Sequence, residues 1–173
     1  CKILKDGVDE RLGAAKGRAR PKRPLISFQG AAYFPASYIP LAQDRVYYYQ
    51  RLSVAHGLPG VTTVRNEILD RFGRLPAESE NVISVAEIRE LFVGCSVKKI
   101  SLNNKSAAIY FSETKENDPF NLTRLQKLLS STKRTFRFNN NGGFSAFIDM
   151  NSLNDALSFV AHFAGLMHAD LSA

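Results

Sequence analysis

The spacing of apolar residues changes once along this chain, and that change constrains the fold more than any other feature. From Ala42 to Cys95 apolar side chains recur every three or four positions, the period of a helix. From Val97 to Phe111, and again from Thr135 to Asp149, they alternate with polar ones, the period of a strand. After Ser152 the helical period returns. The predicted order is ααα-ββα-ββα: an α+β domain with an N-terminal helical cluster, two β-hairpin/helix units and a small, largely antiparallel sheet.

In detail, prolines 24, 35 and 40 hold the first segment extended, and Leu25, Ile26 and Phe28 suit a short edge strand. Val46, Tyr49, Leu52 and Ala55 predict the inner side of a first helix, ended by Gly57 and Pro59. Val61, Val64, Ile68 and Phe72, with Leu69 beside them, form one face of a second helix, stopped at Gly73 and barred from continuing by Pro76. The opposite face carries Glu67, Asp70 and Arg74. A third helix over about 77–95 buries Val82, Ala86, Leu91, Phe92 and Cys95.

Asn103-Asn104 turns the first hairpin and Asn139 to Gly143 the second. Between them, Asp118-Pro119 begins a helix with Leu122, Leu125, Leu128 and Leu129 inward. Ser152 and Asp155 make a capping box for the last helix, whose stripe runs through Leu153, Leu157, Val160, Ala164, Met167 and Leu171. Phe159, Phe163 and Leu166 widen that stripe enough to bury the helix.

The net charge of +7 over 173 residues suggests a polyanion until it is divided. Residues 1–23 hold eight Lys or Arg against three acidic residues, a surplus of five. The rest hold fifteen against thirteen, a surplus of two. The body is nearly neutral, so a nucleic-acid-binding module would depend on the basic N-terminal segment, joined by Arg134 and Arg137. Residues 1–13 suit a short amphipathic helix and 13–23 a solvated basic linker, so the chain divides at about residue 23, with one domain over 24–173. Five cations in that linker could also touch phosphates non-specifically.

Dedicated chemistry is not visible. There is no G-x-x-x-x-G-K-[ST] or G-x-S-x-G motif. His56, His162 and His168 have no metal-ligand spacing, and two cysteines make neither a disulfide framework nor a zinc site. No apolar run is long enough to span a bilayer and no signal peptide opens the chain, so a cytoplasmic setting is expected. Tyr47, Tyr48 and Tyr49 lie on a helix and point three ways, while Phe136 and Phe138 share one strand face and Arg137 takes the other.

The segment Glu67-Ile-Leu-Asp-Arg-Phe-Gly-Arg-Leu-Pro76 resembles the E-L-x-D-R-F-G-x-x-P core of the C-terminal domain of bacterial transcription-repair coupling factors. Ala32 to Pro35 with Tyr38-Ile39 is similar to the family's A-x-[IL]-P-x-x-Y-I segment. Arg45, Tyr49, Arg51 and Leu52 fit its R-L-x-x-Y-x-R-[IL] helix, and Ala86, Arg89 and Lys98 to Ile100 follow in order. Residues 1–13 resemble the last helix of the preceding motor region. Two departures concern local geometry. Leu41 stands where the family often has a capping Asp, so the helix is expected to begin on another cap. Ser96 stands where the family has Gly, and must accept a backbone conformation that Gly adopts more easily.

The resemblance implies a non-catalytic regulatory domain of a larger ATP-driven translocase on double-stranded DNA. Such a parent displaces stalled RNA polymerase and recruits the excision-repair damage-recognition ATPase. ATP would bind in upstream motor domains and no cofactor in this part. The domain itself would dock on an N-terminal excinuclease-like module of the same protein and mask its recruitment surface. Glu67 and Asp70 are then the interdomain contacts. Arg45, Tyr49, Arg51, Arg71, Phe72, Gly73 and Pro76 are structural members of the motif. The local alternative is that Asp70 pairs with Arg74 at i, i+4 on a solvated face.

Overall fold

The computed structural model describes residues 23–111, 127, 130–131, 134–139 and 145–171. Elements run β1 (Leu25–Phe28), α1 (Ala42–Val54), α2 (Gly57–Phe72), α3 (Ala77–Leu91), β2 (Val97–Leu102), β3 (Ser106–Phe111), β4 (Phe136–Asn139), β5 (Ser145–Asp149) and α4 (Leu153–Leu171). This is the expected α+β fold. The expectations for residues 1–22, for the helix starting at Asp118-Pro119 and for the tip of the second hairpin lie largely outside the described residues.

The sheet has the order β1-β2-β3-β5-β4, with β1 parallel to β2 and every other pair antiparallel. Asn103 explains the tight first hairpin: its side-chain oxygen accepts the N–H groups of Lys105 and Ser106, both at 2.8 Å. Ile100 lies opposite Ile109, and Leu102 opposite Ala107, on the face that meets the helices.

Two apolar clusters hold the domain together. Phe34, Ile39, Tyr48, Leu52, Val61, Val64, Ile68 and Ile83 fill the space among α1, α2 and α3. A second, larger cluster joins the sheet to α4 through Ile100, Ile109, Ile148, Val160, Phe163 and Met167. Helix α3 serves both, giving Ile83 and Ala86 to the first and Ile88 to the second. Phe136 and Phe138 pack together on the second cluster, as their shared strand face predicts, and Arg137 points away, exposed.

Three expectations for α1 need correction. On α1 the inward residues are Tyr48 and Leu52; Val46 is 53% exposed and Tyr49 only partly covered. A four-residue step, rather than the three-residue step read from the sequence, defines the buried side. Gly57 and Pro59 do not terminate α1, which stops at Val54; they open α2. Proline is tolerated there because first-turn N–H groups lack helical partners. Leu41 is itself the N-cap of α1, without any side-chain capping bond, where another cap was expected. Its carbonyl receives the Asp44 and Arg45 N–H groups, and Asp44 favours the positive end of the helix.

Helix α3 ends at Leu91 rather than near Cys95. The chain then turns through Gly94 at φ 83 and Ser96 at φ 52, so Ser96 adopts the conformation expected of a glycine. At the start of α4 the capping box is present in a shifted form. Asp155 N–H donates to Ser152 Oγ, but the Asp155 carboxylate accepts from Asn151 N–H.

Candidate functional site

The motif around α2 is built on a chain of contacts with α1. Arg45 donates to the carbonyls of Ile39 and Pro40 at 2.7 and 2.8 Å, fixing the segment that leads into α1. Tyr49 accepts the Phe34 N–H at 2.8 Å through its hydroxyl. Phe72 meets the buried Tyr48 edge-on, with ring centroids 5.8 Å apart. Arg71 lies over the Phe72 ring and bonds Asp44 across to α1 at 3.0 Å. Gly73, at φ 80, donates its N–H to Leu69 and receives the Tyr38 hydroxyl on its carbonyl at 2.7 Å. Pro76 begins α3, its carbonyl accepting from Ser79 and Glu80.

The two carboxylates expected to form a contact site differ in environment. Glu67 is half-buried, 3.1 Å from the Arg51 guanidinium, with the Tyr48 hydroxyl 3.5 Å from its other oxygen. Arg51 also donates to the Tyr47 hydroxyl at 2.6 Å and lies over that ring. The Tyr47 bond, and then Glu67, push the Arg51 guanidinium above its ordinary range. Asp70 is exposed, and its carboxylate has no hydrogen bond or ion pair among the described residues. The local pairing with Arg74 is not formed among them. Helix α2 ends at Phe72, so Arg74, expected on this face, lies beyond the helix and is exposed without a hydrogen bond or ion pair among the described residues. The face itself presents a neutralised Glu67–Arg51 pair beside the open negative charge of Asp70.

Other sequence candidates sit as follows. Burial raises the Cys95 thiol to about 11, which keeps it protonated at neutral pH. Arg134 forms a two-bond fork with Asp155, and Arg137 pairs with Asp149 at 3.2 Å, so both cations of the nucleic-acid alternative have carboxylate partners. No group of three His, Cys, Asp or Glu among the described residues could hold a metal ion. No helix among them is long and apolar enough to cross a membrane.

One buried charge was missed. Glu90, with its side chain 2% exposed, receives Arg23 at 3.1 Å, Arg89 at 3.2 Å and the Gly57 N–H at 2.9 Å. The available signal was its position on the inner stripe of α3, seven residues after Ile83 and four after Ala86. Its neighbour Arg89 disguises it as half of a surface pair.

Comparison with known proteins agrees with this geometry. The family model described as the TRCF domain matches residues 28–122. The transcription-repair-coupling factor of Buchnera aphidicola subsp. Acyrthosiphon pisum is 32% identical over 93 residues, 53% of this chain and 12% of that protein. That of Haemophilus influenzae is 24% identical over 159 residues, 92% of this chain and 13% of that protein. The chain therefore spans about an eighth of the length of these relatives. A crystal structure of the C-terminal domain of transcription-repair coupling factor superposes with a TM-score of 0.75 at 17% identity, covering 86% of this chain and 93% of that one. The α2 motif, its fold and its relatives agree: the chain belongs to the TRCF-domain family, that of the C-terminal domain of transcription-repair coupling factors.

Proposed function

We propose that this domain is a non-catalytic brake on a larger transcription-repair coupling protein. It docks through the outer face of α2 on an N-terminal, excinuclease-like module of the same polypeptide. Docking covers the surface by which that module recruits the damage-recognition ATPase. ATP binding, translocation on double-stranded DNA and displacement of stalled RNA polymerase belong, in this reading, to preceding motor domains.

The observation that carries the reading is Asp70. A carboxylate exposed on a helix whose other face is fully packed, beside a charge pair and with no local partner, gains nothing for this domain. An arginine from a docked module would give it a charge-assisted bond and would compete with Arg51 for Glu67. Exposed pairs contribute only about 0.2–1 kcal/mol each, and desolvated ones contribute more, so the contact is weak enough for motor movement to release.

The test uses the full-length parent carrying Asp70→Ala, alone and with Glu67→Ala. Affinity for the damage-recognition ATPase is expected to rise several-fold in the single variant and further in the double. Asp70→Ala should leave the stability of the domain within about 0.5 kcal/mol, because no local bond is lost. Unchanged ATPase binding in the double variant would count against the docking assignment.

A further inference from the structure

The open edge of β1 borders a groove that the docking face does not use. Gln29 donates its N–H to the Leu102 carbonyl of β2. By strand alternation, Leu25 and Ser27 share that side, and Ile26 and Phe28 turn their N–H and C=O groups to the other. No strand pairs with that outer edge among the described residues, where β1 is the last strand of the sheet. Alongside it runs a groove of about 400 Å³ walled by Tyr49, Leu52, Val82, Val85 and Ala86 from α1 and α3.

The charge in this groove is unbalanced. Among the described residues, its only ionisable side chains besides Tyr49 are Arg23 and Arg89, and both lean on the single carboxylate of Glu90. Arg23 spends its remaining donors on the Ser53 and Ala55 carbonyls and on His56. Arg89 donates Nε to Glu90 and Nη2 to Leu52 O, leaving Nη1 without a hydrogen-bond partner among the described residues. That nitrogen is not sealed from solvent, since no buried side-chain polar atom is unpaired. Two guanidiniums against one carboxylate leave one positive charge at a partly dry, apolar wall.

We propose that this groove binds an extended peptide segment of a partner protein, one that adds as a strand to the outer edge of β1 and alternates aliphatic with acidic residues. Main-chain bonds to Ile26 and Phe28 hold the segment in line, the way strand addition generally works. Its aliphatic side chains cover the half-exposed Val82 and Val85, and a carboxylate reaches Arg89 Nη1. The surplus cation decides the chemistry of the partner: a basic or neutral strand would leave it uncompensated.

The experiment titrates the isotope-labelled full chain with a short peptide alternating valine and aspartate, followed by amide NMR and fluorescence anisotropy. Saturable shifts at Ile26, Phe28 and Arg89 are expected. Replacing the aspartates by asparagine should weaken binding at least about tenfold, and lysines should abolish it. Two variants separate the elements of the site. Ile26→Pro removes an outward N–H without breaking a β1–β2 ladder bond, and Ser53→Glu, at an exposed position, neutralises the groove. Each should weaken binding about tenfold or more, and Ser53→Glu should keep the melting transition of the parent chain. Ile26→Pro, which also removes a side chain packed on the sheet cluster, is read against Ile26→Ala, which loses the same packing but keeps the N–H and should still bind. Equal binding of the aspartate, asparagine and lysine peptides, or shifts confined to other surfaces, would overturn the proposal. So would contacts from residues 1–22 to Ile26 in the peptide-free chain, or a concentration-dependent dimer abolished by Ile26→Pro. These would assign the edge to the chain itself or to a second copy. The outcome is independent of the α2 docking test, because no groove residue lies on that face.

Discussion

Ser96 holds a left-handed conformation in the turn from α3 to β2, at a cost of about 1 kcal/mol for a residue with a Cβ. Ser96→Gly is therefore expected to stabilise the domain by about that amount in denaturant titration. This residue was legible, because a family pattern with Gly at that position states a backbone requirement. Cys95 beside it is expected to resist thiol reagents at pH 8 in the native chain and to react freely in denaturant, since burial holds its proton. The sign follows from that: the unfolded thiol ionises first, so this contribution to stability falls as pH rises from about 8.5 toward 11. Glu67 was legible only in part. A helical wheel gives a direction outward, but not that Arg51 of the neighbouring helix stands there. Glu90 was hidden for a similar reason, because its principal partner Arg23 lies 67 positions earlier in the chain.

At the scale of elements, α1 begins without a side-chain cap, on an exposed Leu41 whose φ of −78° and ψ of 124° already suit an N-cap. Leu41→Ser should supply the missing acceptor and raise stability by about 1 kcal/mol, read as a melting shift of about 2–4 °C. The opposite situation holds at α4. Arg134, and then the Asn151 N–H, hold the Asp155 carboxyl below its ordinary range. The folded chain releases that proton more readily than the unfolded one. Stabilisation is complete above about pH 4 and is lost as pH falls through the folded value. In Asp155→Asn, acid unfolding should lose that part of its pH dependence. Strand and helix identities were legible because period separates them, whereas the rotation of α1 was not. Tyr47 to Tyr49 offers a ring at every angle, and only the neighbours choose which one is buried.

For the whole molecule, the hairpins were legible and the sheet order was not. Turn residues fix which consecutive strands pair, but β3 beside β5, and β1 beside β2, depend on how distant segments pack. The two apolar clusters meet along α3, and Glu90 stands where they join, tying the start of β1 and the α1–α2 junction to that helix. Glu90→Ala would leave two guanidiniums without their shared anion and is expected to cost about 3 kcal/mol in equilibrium unfolding. It should also loosen Arg23, which would keep only the Ser53 and Ala55 carbonyls and His56. That anchorage has a mechanical consequence. Tension applied to the backbone ahead of Arg23 does not first peel β1 from the sheet. It loads the guanidinium fork, which is riveted both to α3 and to the bend between α1 and α2.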